Sequence, residues 1–154
     1  MSNVDRLDIF EVACKHFLGD FSNFKNLIST QVQSLDGLEW SFDKGSTKVS
    51  TADESGRKKR CKVGITYNLQ VKLSSDDAET IWEGFSQFFG NTSLYNIERV
   101  SSNEELGRYE FIANNSFGDE IICGIYLPNE WNRPQINILG FVSSRYRKVD
   151  YQES

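Results

Sequence analysis

From Asp5 to Leu18 the apolar residues Leu7, Phe10, Cys14, Phe17 and Leu18 recur at spacings of three and four, which predicts a helix with one buried face. Gly19 is placed to stop that helix. Asp20 or Ser22 can then cap a second one, in which Phe21, Phe24, Leu27, Ile28, Val32 and Leu35 again fall at helical spacing before Asp36-Gly37 ends the run. The opening is therefore an N-terminal helical pair, either a hairpin or one bent helix, whose aromatic stripes need a sheet to cover them. After Gly37 the period changes. Leu38 to Phe42 alternates as a half-buried strand does, and Asp43-Lys44-Gly45-Ser46 follows as a turn. The hydrophilic stretch 43–60 leaves two readings open, a short strand near Lys48–Ala52 or a mobile loop. Cys61, Val63, Ile65, Tyr67, Leu69, Val71 and Leu73 then take every second position, the longest two-residue period in the chain.

Ser74-Ser75-Asp76-Asp77 breaks that strand and offers helix caps. Ala78, Ile81, Trp82, Phe85, Phe88 and Phe89 form the next apolar stripe, closed by Gly90-Asn91, with Asp76, Glu79, Glu83 and Gln87 on the opposite side. The acids concentrate in the first turn, where they suit the helix dipole. Four strands are predicted after it, near Leu94–Val100, Gly107–Asn114, Glu120–Leu127 and Gln135–Val142, with Phe117-Gly118-Asp119 as a hairpin turn. Beyond them, 144–154 reads as a loose C-terminal tail. Helices first, then strand, helix and a run of strands joined by short connections, specify an α+β domain: a mostly antiparallel sheet with helices packed on one face.

Composition narrows this to one globular domain over residues 1–154, long enough to bury a core without staples. Cys14, Cys61 and Cys123 are odd in number, widely spaced and in no C-x-x-C pair, so neither a disulfide framework nor a zinc site is indicated, and a reducing cytoplasm is the expected compartment. Asp5, Arg6, Asp8 and Glu11 interrupt the apolar run a signal peptide would need, and no window approaches the roughly 20 apolar residues of a membrane span. With 17 basic against 22 acidic residues the net charge is −5, which disfavours direct binding of nucleic acid and favours a basic partner. The local exception, Arg57-Lys58-Lys59-Arg60 with Lys62, reads as a charged loop entering a strand, with an anion or RNA contact as the alternative.

No catalytic, metal or cofactor site is expected. The one histidine, His16, lies off the apolar face of its helix; Gly-x-Ser-x-Gly, Gly-x-Gly-x-x-Gly and P-loop sequences are absent. Adjacent carboxylates at Asp76/Asp77, Glu104/Glu105 and Asp119/Glu120 fall at turns, where caps and solvated loops place them. Contact chemistry is better represented. Pro128 and Pro134 bracket a loop with Glu130, Trp131 and Arg133, and Trp and Arg are the types most enriched at interface hot spots; the other reading folds Trp131 back over the sheet end as core. An alternative reading takes the 3 Trp, 6 Tyr and 11 Phe as the lining of a small-molecule or enzymatic pocket between sheet and helix near Trp82.

A small, acidic α+β domain without catalytic equipment resembles the immunity proteins of contact-dependent growth inhibition and other polymorphic toxin systems, a likeness of type across the whole chain. The resemblance implies a cytoplasmic protein that binds a cationic toxin domain, often a nuclease, and blocks its active site or substrate groove. The acids Asp76, Asp77, Glu79, Glu83, Glu104 and Glu105 would steer the toxin, with Trp131, Arg133 and Glu130 as the loop contact.

Overall fold

A computed structural model describes residues 10–44, 48–51, 59–92, 94–116, 118–130 and 133–146; of the strand residues among these, side chains are described outside 43–63 and 143–146. The described residues form two α-helices and seven strands, in the order α1 (Phe10–Gln31), β1 (Ser41–Lys44), β2 (Lys48–Thr51), β3 (Lys59–Leu69), α2 (Ser75–Gly90), β4 (Asn96–Val100), β5 (Arg108–Asn114), β6 (Glu120–Tyr126) and β7 (Gln135–Tyr146). All strand pairs are antiparallel, in the spatial order β1-β3-β7-β6-β5-β4, and β2 pairs with β3 beyond β1. The α+β class read from the sequence is the class observed.

The N-terminal helical pair consists of α1 followed by a single 3-10 turn, Gln33–Leu35, which buries Leu35. Gly19 does not stop the first helix. The stripe Ala13, Phe17, Phe21, Phe24 and Ile28 runs through it unbroken, and burial of that stripe outweighs the modest cost of one glycine in a helix interior. At the start of α2, Ser74 Oγ accepts from the Asp77 N–H at 3.0 Å while the Asp77 carboxylate accepts from the Ser74 N–H at 3.0 Å, a reciprocal capping box.

Both described helices cover the same face of the sheet. Ile65 and Leu69, Ile136, Ile138 and Val142, Ile121, Cys123 and Ile125, and Phe111 and Ala113 are its buried rows. Phe24 meets Phe85 edge-on at 5.3 Å, Phe85 lies 5.9 Å from Phe111, and Phe21 lies 5.2 Å from Tyr67, so aromatic rings from both helices close the layer. At Gly140 in β7 the approach is tighter. A Cβ there would strike the Glu120 carbonyl oxygen, come 3.0 Å from Ile121 Cα and 3.1 Å from Phe17 Cζ, so only glycine fits between the β6 backbone and the α1 ring above it.

Strand lengths follow their partners. The alternation of β3 continues in sequence to Leu73, but its pairing ends at Leu69 opposite Ile136, because β7 begins at Gln135. At the other end β7 runs on to Tyr146, past the Val142 limit read from the sequence, because Arg60 and Cys61 of β3 pair with Tyr146 and Arg145 across a one-residue shift in register. In 43–60, the strand near Lys48–Ala52 forms as β2, pairing Lys48 with Lys62 and Thr51 with Lys59; 45–47 and 52–58 lie outside the described residues, as do Arg57, Lys58 and 147–154 of the tail.

The two glycines make opposite predictions. Gly19 is exposed in a helix interior, and a methyl added there would meet nothing within 4 Å, so Gly19→Ala is expected to stabilise by about 0.5–1 kcal/mol. Gly140→Ala is expected to destabilise by about 3 kcal/mol or more through overpacking against backbone. Thermal unfolding of the two variants beside the parent protein measures both, and equal shifts of one sign would contradict the packing described.

Candidate functional interface

Antiparallel registers decide which loops meet. Leu69 pairs with Ile136, Tyr126 with both Gln135 and Arg108, and Val100 with Glu110, so the connections β3–α2, β4–β5 and β6–β7 all leave the sheet at one end, where α2 also begins. Seven of the candidate residues arrive there from three separate segments: Asp76, Asp77 and Glu79 on the first turns of α2, Glu104 and Glu105 on a 3-10 turn between β4 and β5, and Glu130 and Arg133 between β6 and β7; Glu83 lies one turn past Glu79, midway along α2. Trp131 lies outside the described residues. The two strand connections are bonded to each other, since Asn129 Nδ2 donates to the Leu106 carbonyl at 2.7 Å and the Leu127 N–H donates to the Gly107 carbonyl at 2.7 Å.

Arg99 is the residue that fastens this end together, and sequence reading passed over it. It sits on β4 with the parity of Ile97, whose register partner Ala113 is buried, and so projects toward α2 from the helix-covered face. Its Nε and Nη2 donate to the Glu104 carboxylate at 2.7 and 2.8 Å; its Nη1 and Nη2 donate to Glu79 at 2.9 and 2.6 Å. The guanidinium carbon also lies 5.6, 5.8 and 5.7 Å from the ring centres of Trp82, Tyr109 and Phe111. A planar fork with five N–H donors can serve two carboxylates and stack on rings at once, which an ammonium cannot.

Charge regulation follows from the clip. The hydrogen bonds from Arg99 hold the Glu79 carboxyl below its ordinary pKa, and those to Glu104 and then Glu79 push the guanidinium above its own. Burial raises the Tyr109 phenol, helped by the Glu104 and Glu79 charges. Elsewhere, burial pushes the Cys123 thiol up and keeps it protonated, which removes it as a nucleophile at neutral pH. Asp20 is raised by burial, with His16 acting in the opposite direction.

The acids thus divide into two groups. Asp77 is committed to the capping box, while Glu79 and Glu104 are committed to Arg99, their side chains 51% and 21% exposed. Asp76, Glu83, Glu105 and Glu130 are exposed around them, with Arg133 also exposed. Among the described residues, no group of three or more His, Cys, Asp or Glu is placed to hold a metal ion, and no helix is long and apolar enough to cross a membrane. Among the rings near Trp82, the Trp82 ring centre lies 5.0 Å from that of Phe111 and 6.5 Å from that of Phe85.

On the opposite face, where none of the described helices packs, the same end carries a groove of about 300 Å³, lined by Val100, Asn103, Arg108, Glu110, Ile122, Gly124, Tyr126, Asn137 and Leu139, with the Tyr109 backbone position between them. Asn103 on its wall is the residue before Glu104, so groove and acidic cluster share the β4–β5 connection.

Arg99→Lys is expected to cost about 1–2 kcal/mol, because one ammonium cannot replace paired N–H bonds to two carboxylates. Chemical denaturation at pH 7 measures it. Since the folded-state pKa of Glu79 is depressed, its contribution is full above the ordinary carboxylate pKa and is lost as pH falls through the folded value. The parent protein should therefore lose stability faster than Glu79→Gln on acidification below about pH 4.5, by a small margin given the exposure of Glu79; parallel acid limbs would refute the clip. In comparison with known proteins, the chain matches no family model, no curated protein and no solved structure.

Proposed function

We propose that this protein is an immunity protein, which binds a cationic toxin domain through the acidic end of the sheet and covers that domain's active site or substrate groove. The observation that supports this reading is the convergence of acids from α2, the β4–β5 connection and the β6–β7 connection on one end, three of them exposed around a clip that fixes their spacing. A field of one sign over a fixed surface steers an oppositely charged partner and sets its orientation. The same field repels phosphate backbones, so the protein would shield a nuclease by mimicking its substrate rather than by competing for nucleic acid itself.

On this reading the protein acts in the cytoplasm, needs no cofactor and catalyses nothing. A ligand pocket among the aromatic rings around Trp82 is the less favoured alternative, since those rings are in mutual contact and share the Arg99 guanidinium.

On this reading the frame encoded immediately upstream should specify the partner to test, a large secreted protein with a variable, basic C-terminal domain, and an unrelated gene there would count against the proposal. Co-expression should protect cells from that domain, and the purified pair should associate. Glu83→Lys with Glu105→Lys is expected to slow association at least tenfold at low salt and to flatten its salt dependence, while Gln87→Lys, farther along the exposed side of α2, changes it less than threefold. Stopped-flow or biosensor kinetics decide this. Failure of the domain to bind, or association rates indifferent to the double reversal, would overturn the proposal.

A further inference from the structure

Steering by carboxylates brings a partner in, but residence at an interface rests on a few desolvated side chains seated in pockets. The structure offers such a pocket beside the acidic end. On the face that no described helix covers, neighbouring strands line up side chains in rows: Arg108, Tyr126 and Gln135; Glu110, Gly124 and Asn137; Ile112, Ile122 and Leu139. The middle row lacks its central side chain, because position 124 is glycine, and the gap is the groove of about 300 Å³. Tyr126 and the apolar Ile122, Leu139 and Val100 bound it, Glu110 and Asn137 flank its floor, and Leu139 is 37% exposed. Asn137 is oriented by Asn68, whose Nδ2 donates to the Asn137 Oδ1 and, at 2.9 Å, to Gln135 Oε1.

We infer that this groove receives one large aromatic or aliphatic side chain, flanked by basic residues, of the same protein partner that the acidic end attracts. Three observations fix that occupant. The volume lies at the bottom of the range of about 300–1,000 Å³ typical of small-molecule sites, which fits a single side chain better than a cofactor. The groove shares the β4–β5 connection with Glu104 and Glu105, so one partner surface reaches both. The wall carries the Glu110 carboxylate beside the Arg108 guanidinium, and the exposed Glu105 lies two residues past Asn103, so carboxylates outnumber the one cation there and favour Lys or Arg beside the seated side chain. The inference rests on the proposed function for the partner's identity, but the groove's preference is testable without it.

Filling the gap is a clean perturbation. A Cβ at Gly124 meets only Tyr126 Cε1, at 3.8 Å, which is ordinary contact, and a β-branched residue suits a strand, so Gly124→Val should fold with an unchanged or raised Tm. Leu139→Asn is a second variant at an exposed position. The probes are acetyl-Lys-Trp-Lys-amide, acetyl-Glu-Trp-Glu-amide and free tryptophan, titrated into the full chain with amide NMR shifts at Ile122, Gly124 and Tyr126 as the readout. The basic peptide is expected to shift these amides and to bind at least fivefold more tightly than the acidic one, with the response abolished in Gly124→Val and weakened in Leu139→Asn. No shift, a shift that survives Gly124→Val, or tighter binding of free tryptophan than of the basic peptide would overturn the inference, the last by making the groove a small-molecule site. With the toxin domain in hand, Gly124→Val should speed dissociation at least tenfold and leave association unchanged. Equal binding of the parent protein and Gly124→Val would sink the groove and leave the immunity reading standing; peptide binding without any toxin binding would do the reverse.

Discussion

Every element of this protein answers to one constraint: an antiparallel sheet whose apolar rows must be covered on a single face. The described helices supply that cover with aromatic stripes, and Phe21, Phe24, Phe85, Phe89 and Phe111 are fully buried where the two layers meet. One-sided cover has two structural consequences. It requires a glycine at position 140, between the β6 backbone and the Phe17 ring of α1, and it leaves the other face of the sheet uncovered by the described helices, with Leu139 and Phe141 exposed. An open face on a small domain is a surface that composition alone does not reveal, because the residues on it look like the polar half of ordinary amphipathic strands.

Arg99 transmits the order of that core to the surface. Its guanidinium rests against Trp82, Tyr109 and Phe111, which belong to the packed layer, and its N–H groups hold carboxylates on α2 and on the β4–β5 connection. The connection in turn holds the β6–β7 loop through Leu106 and Gly107. A chain of short bonds therefore runs from buried aromatic rings to the loop that carries Glu130 and Arg133. Freezing an exposed acidic surface this way lowers the entropy lost when a partner docks, which is where a charged interface gains lifetime rather than speed.

Periodicity made most of the fold legible. The two-residue alternation of β5, β6 and β7 and the three-four spacing of α2 needed no partner to be recognised, and Ser74 with Asp77 announced the cap. Local rules failed where tertiary packing outbid them. Gly19 looks like a stop, yet Phe17, Phe21 and Phe24 keep one helical face across it. Val71 and Leu73 extend the alternation of β3, yet a strand lasts only as long as its neighbour, and β7 has not begun there. The site was legible as residues and not as a site. The sequence names the acids as candidate contacts but leaves their distances open, and only the strand order brings the β4–β5 and β6–β7 connections to the end where α2 begins. Arg99 left one usable signal: in Asn96–Val100 it shares parity with Ile97, so a charge falls on the face that should be apolar, and such a charge needs carboxylates nearby.

The two faces at this end suit different parts of recognition. Carboxylates act over the Debye length and reward approach from many directions, whereas a groove acts only on contact and rewards one orientation. Placing them on either side of a single connection, Asn103 toward the groove and Glu104 toward Arg99, couples long-range attraction to a fixed docking pose. A charged surface without a pocket would bind basic proteins indiscriminately, and a pocket without the charges would wait on chance encounters. If the proposed immunity reading holds, selecting one toxin among many basic proteins would call for both, and the β4–β5 connection is where adjacent residues line the groove and bind Arg99.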